Sequence, residues 1–183
     1  LVSEAIREIT PRGVVTADGR ERAADVLVWC TGFRVQGRLP AGTLVGRDGL
    51  DLRDAWEQAS EAYLGTTVAG FPNLFLLNGP NTGLGHTSVL LMIEAQLAYI
   101  SDALRTLRER GLRSVEVRRE AQDAYNAELQ RRLAGTAWAS GCRSWYLDRN
   151  GRNTVIWPGF TFEFRRRTRR FDAGAYRLEP AAP

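Results

Sequence analysis

The chain has 183 residues, 44% hydrophobic and 25% charged, which is enough for one globular domain with a real core. All 25 basic residues are arginine, so the chain offers no lysine for a P-loop, a Schiff base or a general base. Its one histidine, His86, and two distant cysteines, Cys30 and Cys142, exclude a zinc site with the usual ligand spacing.

The net charge of +4 is concentrated in the C-terminal part, since the residues from Arg143 onward include nine arginines and four acids. The sequence has neither a secretory signal nor an uncharged apolar stretch of about 18 residues. It therefore predicts a cytoplasmic protein whose cysteines are core or near-core thiols rather than a disulfide. Because the first residue is Leu1 and a strand-like pattern follows at once, we expect a fragment of a longer protein.

Three short strands are predicted near the N-terminus, at Glu4–Ile9, Val14–Thr16 and Asp25–Thr31. The Asp-Gly pair at 18–19 predicts a hairpin turn before the third strand. That strand is continuously apolar, which is typical of a strand buried on both faces of a parallel sheet. It leads into Thr31, Gly32 and Phe33, where glycine permits a sharp turn or the close approach of a ligand.

Helical periodicity predicts three helices, over Asp51–Ser60, Thr87–Arg110 and Arg119–Ala134. Two further strands are predicted at Leu74–Leu77 and Ser114–Val117. The second helix has the strongest pattern, with an apolar stripe that we expect to face the core, made of Val89, Ile93, Leu97, Ile100, Leu104 and Leu107.

A glycine-rich loop, Asn78–Ser88, lies between the strand predicted at Leu74–Leu77 and the second helix. A loop in this position directs backbone N–H groups and the positive end of the helix dipole toward one point, which suits an electron-rich ligand. A plain strand-to-helix turn explains the pattern equally well. His86 in this loop is interpreted as a structural residue or a neutral hydrogen-bond donor to a cofactor rather than as a catalyst, because the dipole disfavours its protonated form.

Five arginines occupy six positions in the run Arg165–Arg170. A solvated surface, partly paired with the chain's own acids, explains such a run. Binding to nucleic acid is the alternative, but it normally requires further basic surface and a recognition element. Because the rest of the chain is slightly acidic, the sequence predicts no nucleic-acid partner.

Several segments together resemble the class B flavin-dependent monooxygenases, the family of Baeyer–Villiger monooxygenases and flavin-containing monooxygenases. "DVLVWCTGF" at 25–33 resembles the family's strand that ends in Ala-Thr-Gly and an aromatic residue, with Cys30 in place of the alanine. The stretch from "YLGTTVAGFPN" through "NGPNTGLGHTS" resembles the family's F-P-N and G-P-N segment and the helix beside the flavin. "SWY" and "NGRNTVIWPGFTFEFRRRTRRFD" resemble the closing segment of hydroxyacetophenone-monooxygenase-like members.

The resemblance implies an α/β fold, namely the C-terminal portion of an incomplete Rossmann-like flavoprotein that binds two dinucleotides. It further implies FAD and NADPH as cofactors, O2 as co-substrate, and a ketone or a soft nitrogen or sulfur nucleophile as substrate. In such enzymes a flavin C4a-(hydro)peroxide inserts one oxygen atom of O2 into the substrate, while the protein positions the reactants and excludes water.

By the same resemblance, residues 1–33 would be the tail of the NADPH-binding domain with its return strand, and residues 34–183 the C-terminal part of the FAD-binding domain with a covering tail. The strand–G-x-G-x-x-G–helix fingerprints of both dinucleotides are absent from the sequence, as is the family's F-x-G-x-x-x-H-x-x-x-W signature. We therefore expect the missing N-terminal portion to be the partner of this chain, and expect the fragment alone to be inactive and to bind FAD weakly. The family's active-site arginine cannot be placed on Arg7 or Arg12, so the catalytic residues stay unknown.

The resemblance assigns cofactor contacts to two segments and one further residue. Thr31, Gly32 and Phe33 match the crossing between the two nucleotide-binding domains. Trp145 matches a tryptophan on the nicotinamide side in some members, although a core or hairpin aromatic explains it equally well. The segment near the pyrimidine end of the isoalloxazine comprises Asn81, Thr82, Gly83, Leu84, Gly85, His86, Thr87 and Ser88.

Two alternatives stay open at this point. A flavin disulfide reductase or N-hydroxylase could share the Thr-Gly turn, but a reductase needs a dithiol near the flavin and the sequence has no C-x-x-C. The other alternative is a non-enzymatic interaction module that uses the arginine-rich tail, which a nucleic-acid titration against salt would detect.

Overall fold

The computed structural model describes residues 1–31, 39–139 and 144–181, and the chain divides into two units, Leu1–Phe33 and Arg34–Pro183. The first unit contains an antiparallel meander of β1 (Ile6–Thr10), β2 (Gly13–Thr16) and β3 (Glu21–Ala23). The predicted Asp-Gly turn forms between β2 and β3, where Asp18 Oδ1 accepts hydrogen bonds from Thr16 Oγ1 at 2.6 Å and from Arg20 N at 3.1 Å.

The strand predicted at Asp25–Thr31 does not form, so this prediction is wrong for the described chain. Its side chains are exposed instead: Val26 is 75%, Val28 78% and Trp29 65% accessible. A strand that is buried on both faces needs hydrogen-bonded neighbours and covering elements. Within the described part of the first unit, the three strands of the meander pair with one another and none pairs with this segment.

The described residues of the second unit form four α-helices and two strands: α1 (Leu52–Ala55), α2 (Val89–Glu109), β4 (Leu112–Val117), α3 (Arg119–Ala134), α4 (Thr161–Arg167) and β5 (Tyr176–Pro180). Strands β4 and β5 pair antiparallel, with Val115 opposite Leu178 and Val117 opposite Tyr176. Helix α2 packs against both β4 and α4. The main core lies among these elements and includes Met92, Tyr99, Val115, Leu129, Trp157 and Phe164.

The structure confirms α2, α3 and β4 close to their predicted positions, but the buried face of α2 differs from the predicted stripe. Met92, Ala95, Gln96, Tyr99 and Ala103 are buried, whereas Leu97 is 46% and Leu104 53% exposed. Periodicity identifies the most apolar face of a helix, but the neighbours select the face that is buried. On α2 the buried face contains two small alanines and the polar Gln96. Burial of Gln96 is possible because both ends of its amide are hydrogen-bonded.

Two predicted elements are shorter or absent. The helix predicted over Asp51–Ser60 begins as expected, with Asp51 capping it by accepting from Arg53 N at 2.9 Å, but it ends at Ala55. Trp56 then donates from Nε1 to Glu61 O at 2.9 Å, which holds the chain in a turn. The strand predicted at Leu74–Leu77 does not form; Leu76 N instead donates to Thr66 O at 2.7 Å, a single loop-to-loop contact.

Candidate functional site

The first half of the glycine-rich loop is anchored by Asn81, which is 1% exposed and has a left-handed backbone (φ 55°). Its Nδ2 donates to Asn153 O at 2.9 Å and to Ile156 O at 3.0 Å. Gly83 continues the contact, since its N–H donates to Val155 O at 2.8 Å and its carbonyl accepts from Trp157 N at 2.9 Å. The loop is thus fixed to the segment 153–157 as one short parallel pairing.

Gln96 of α2 binds the loop and the turn at Gly65, and Thr82 of the loop packs against that turn. The buried Thr82 hydroxyl donates to Gly79 O at 2.6 Å, and Gln96 Oε1 accepts from Asn78 N at 2.9 Å. Gln96 Nε2 donates to Gly65 O at 2.8 Å and to Thr66 Oγ1 at 3.0 Å. Gly65 has φ 58° and lies against Thr82 Cγ2 so closely that a Cβ would not fit.

The second half of the loop, from Gly85 to Ser88, is exposed. Ser88 caps α2 by accepting from Leu90 N at 3.2 Å. Within the residues that the structure describes, the backbone N–H groups from Leu84 to Thr87 donate no hydrogen bond to protein. These donors lie directly before the N-terminus of a 21-residue helix, so the loop presents unpaired N–H groups and a positive dipole end together.

His86 lies in this exposed half and contacts the C-terminal segment. Its Nε2 is 3.2 Å from Gly159 O, a contact that requires Nε2 to carry the proton, and its ring centroid is 6.1 Å from that of Phe160. His86 Nε2 therefore donates to Gly159 O, while Nδ1 has no hydrogen bond among the described residues.

An aromatic group lies beside the loop. The Trp145 ring centroid is 4.2 Å from that of Tyr146, which is 5.2 Å from that of Trp138. Gly85 is packed against this group, since a Cβ at Gly85 would lie 2.5 Å from Trp138 Cζ2. Trp145 is 39% exposed, so it is neither a fully buried core residue nor a free surface one.

Small-molecule sites typically occupy about 300–1,000 Å³. One cavity of this unit measures about 700 Å³. The loop and the aromatic group both contribute to its wall. Asp148 also lines it, and Asp148 Oδ2 is buried without a hydrogen-bond partner, whereas Oδ1 accepts from Asn150 N and Arg152 N. Other lining residues include Leu39, Trp56, Asn78, Gly79, Pro80, Gly83, Leu84, Val89, Trp145 and Arg149.

The structure therefore brings the predicted residues Asn81–Ser88 and Trp145 into one region of the second unit, with Gly83, Leu84 and Trp145 lining the same cavity. Thr31 is exposed and belongs to the first unit, while Gly32 and Phe33 lie outside the described residues. Cys30 is an exposed free thiol rather than the core or near-core thiol expected, and Cys142 lies outside the described residues. Residues 1–31, 39–139 and 144–181 contain no cluster of three potential metal ligands.

Sequence reasoning missed three residues that shape this region: Gln96, Asn153 and Asp148. Gln96 carried a usable signal, because an amide between Ala95 and Leu97 on an otherwise apolar helix needs hydrogen-bond partners when buried. Asn153 and Asp148 lie in an irregular segment whose long-range contacts no local pattern reveals.

Within the arginine run, Arg167 forms ion pairs with the chain's own acids. Arg167 pairs with Glu128 at 2.5 Å and with Glu163 at 3.3 Å, and Arg132 pairs with Glu163 at 2.7 Å. The guanidinium groups of Arg132 and Arg167 lie 5.2 Å and 5.6 Å from the centroid of the Trp157 ring. Hydrogen bonding from Arg132 lowers the pKa of Glu163, and hydrogen bonding from Arg167 lowers that of Glu128. Part of the basic run thus balances the chain's own acids, as expected.

The chain is similar over nearly its whole length to proteins named Baeyer–Villiger monooxygenase, although no protein-family profile matches it. It is 52% identical over 180 residues to a Baeyer–Villiger monooxygenase of Pseudomonas aeruginosa, covering 97% of this chain and 34% of the relative. It is 45% identical over 185 residues to a Baeyer–Villiger monooxygenase of Streptomyces coelicolor, covering 100% of this chain and 36% of the relative. The chain thus spans about a third of the length of these relatives.

The fold is also similar to that of a solved enzyme. Cyclohexanone monooxygenase from Rhodococcus sp. Phi1 bound to NADP+ superposes with a TM-score of 0.75 at 31% identity, over 97% of this chain and 34% of that one. The α/β fold and its incompleteness, expected from the sequence, are therefore confirmed. In the described residues, no helix is both long and apolar enough to cross a membrane.

Proposed function

We propose that this chain, which corresponds to the C-terminal part of a class B flavin-dependent monooxygenase, forms the wall of the active site that contacts the flavin of an FAD- and NADPH-dependent enzyme. One observation carries the proposal. The N–H groups from Leu84 to Thr87 have no protein acceptor in the described chain, and they precede the N-terminus of α2. A ligand with hydrogen-bond acceptors would satisfy them.

The residues present fit the pyrimidine end of a flavin, whose carbonyl oxygens and ring nitrogen are acceptors. Asn81 and Thr82 use their side chains inside the chain, so their part is to hold the loop in place. The contacts themselves fall to Leu84–Ser88, while the His86 side chain holds the loop by donating from Nε2 to Gly159 O. Because the loop is tied both to α2 and to segment 153–157, it would bind without large rearrangement.

The 700 Å³ cavity would take the nicotinamide and substrate side of the site. Trp145 supplies an aromatic wall there, and Asp148 Oδ2 is a buried acceptor that lacks a donor. Thr31, Gly32 and Phe33 remain proposed contacts at the crossing between the two nucleotide-binding domains.

Bound reduced FAD would supply the activation of O2, and the substrate would be a ketone or a soft nitrogen or sulfur nucleophile. The chain contributes the flavin-facing loop and a wall that excludes water. It lacks both dinucleotide fingerprints, so we propose that residues 1–33 belong to an NADPH-binding domain and 34–183 to an FAD-binding domain completed by upstream residues. The cytoplasmic location stays a prediction.

The experiment compares FAD binding by the 183-residue chain and by the protein extended upstream, using calorimetry and flavin fluorescence. We expect tight, stoichiometric FAD only in the extended protein, together with NADPH oxidation that depends on a ketone. Equal flavin affinity in both proteins would refute the division of binding determinants proposed here.

A second arm tests the loop. In the extended protein, His86→Ala should weaken FAD binding about three- to tenfold, because the loop loses the hydrogen bond from His86 Nε2 to Gly159 O that holds it in place. The matched control is Thr106→Ala. Thr106 lies near the C-terminal end of α2, far along the helix from the loop, and its hydroxyl donates to Asp102 O. Unchanged FAD affinity in His86→Ala would remove His86 from the flavin site.

A further inference from the structure

A second cavity, of about 550 Å³, lies between α2 and α4 and shares no residue with the larger one. Its apolar surface comes from Leu91, Ala95 and Ala98 on α2 and from Phe162 on α4. Its polar lining consists of Glu94, Thr161, Thr168 and three arginines, Arg165, Arg166 and Arg169. We refer to this feature as the α2–α4 groove.

The arginines of the groove have no ion-pair partner among the described residues. Arg165, Arg166 and Arg169 are exposed, whereas the neighbouring Arg167 is engaged by Glu128 and Glu163. Glu94 is the one acid that lines the groove. Three guanidinium groups facing one carboxylate leave the groove with a positive potential, which attracts anions.

The apolar part of the groove is exposed to water. Leu91 is 44% and Phe162 68% accessible, and Phe162 stacks on Phe160 with ring centroids 5.5 Å apart and planes 11° apart. Exposed leucine and phenylalanine side chains next to unpaired arginines offer a surface that is apolar on one side and cationic on the other. Inorganic phosphate would use the arginines alone and leave the apolar surface in water.

We propose that the α2–α4 groove binds an amphipathic carboxylate of the fatty-acid class. Its alkyl chain would lie along Leu91, Ala98 and Phe162, where removal of apolar surface from water is favourable. Its carboxylate would accept paired hydrogen bonds from the guanidinium groups of Arg165 and Arg169. The volume of the groove lies within the range of about 300–1,000 Å³ that small-molecule sites occupy.

The test is a calorimetric titration of the extended protein with dodecanoate, with dodecanol and with sodium sulfate. The two alkyl ligands are kept below the concentrations at which they aggregate. We expect saturable binding of one dodecanoate, clearly weaker binding of dodecanol, and no binding of sulfate. The titration is run with and without FAD, so its outcome does not depend on the proposed flavin site. Equal affinity for dodecanoate and dodecanol, or no saturable binding of dodecanoate, would overturn the proposal.

Variants locate the site. Arg165→Gln combined with Arg169→Gln should weaken dodecanoate binding about fivefold and leave dodecanol binding unchanged, since exposed charge pairs are individually modest. Ala98→Phe, which fills the groove from an exposed position, should weaken both ligands. Arg170→Gln is the matched control, because Arg170 belongs to the same run and is exposed but does not line the groove. An equal loss in Arg170→Gln would assign the effect to general charge and reject the groove.

Discussion

Gln96 of α2 and Asn78 of the glycine-rich loop are joined by a 2.9 Å hydrogen bond in which Asn78 N–H donates to Gln96 Oε1. The other end of the same amide donates to Gly65 O at 2.8 Å. One fully buried side chain therefore holds α2 to both turns that frame the candidate flavin site.

Replacing Gln96 with leucine, which is similar in size, leaves the buried Gly65 carbonyl and the part-buried Asn78 N–H without these partners. We expect the free energy of unfolding to fall by about 1–3 kcal/mol. Urea denaturation followed by circular dichroism measures this loss. Leu97→Ala is the control, because Leu97 is exposed on the same helix and its truncation should change stability little. A Gln96→Leu protein as stable as the original would show that these hydrogen bonds contribute nothing net.

Asn81→Asp removes both Nδ2 donors while keeping a side chain that tolerates a left-handed backbone. The new carboxylate would face Asn153 O and Ile156 O, so we expect a loss of about 3 kcal/mol at pH 7. Burial raises the pKa of this carboxyl, and its protonated form can donate one hydrogen bond. The loss should therefore shrink as the pH falls toward 5. Asn150→Asp also removes an Nδ2 donor, to Gln58 O, but at an exposed turn where water hydrates the carboxylate, so it should cost much less stability and show no such pH dependence.

Glu179 on β5 accepts from Arg113 at 3.0 Å, from Ser114 Oγ at 2.9 Å and from Arg47 at 2.8 Å. Hydrogen bonds from Arg113, Ser114 and Arg47 lower its pKa to about 2. A pKa below the unfolded value means that the carboxylate form stabilises the fold. This contribution is fully present above the ordinary pKa of 4.5 and is lost as the pH falls toward 2.

Glu179→Gln should accordingly flatten the dependence of stability on pH between about 4.5 and 2. Urea midpoints at pH 7, 4 and 3 provide the measurement, with Glu109→Gln as an exposed glutamate control. If Glu179→Gln and the original chain lost stability in parallel over this window, the pKa assignment would be wrong.

Gly85→Ala introduces a Cβ that would lie 2.5 Å from the Trp138 ring. Either the ring or the loop must move, so we expect a changed near-ultraviolet circular dichroism spectrum and weaker FAD binding in the extended protein. Gly135→Ala is the matched control, since the nearest atom to its Cβ would be 4.0 Å away. An unaltered spectrum together with unaltered FAD affinity would contradict the packed arrangement of Gly85 and Trp138.

The local sequence pattern predicts the helices whose own periodicity and end signals define them. The ends of α3 were predicted at Arg119 and Ala134, where the structure places them, and α2 needed only small adjustments at either end. The buried face of α2 could not be predicted, because Gln96 becomes a core residue only when Gly65 and Asn78 come into reach. Helix α4 was missed because arginines fill its last turn and mask the buried Phe164.

Glycine spacing predicts the candidate loop, but it does not predict which loop residues anchor the loop and which cap α2. Nothing local distinguishes Asn81, which binds segment 153–157, from Ser88, which caps a helix seven residues later. Asp148 could not be singled out at all, since its unpaired oxygen is a property of the packed segment around it.

The exposed segment from Val26 to Trp29 has a consequence for handling the chain. Four consecutive exposed apolar side chains, without strand neighbours in the described part of their unit, form a surface to which a second copy can add. Expression of the 183-residue chain by itself should therefore yield concentration-dependent aggregates. A Val28→Lys substitution, which places a charge in the middle of the segment, should raise the soluble yield.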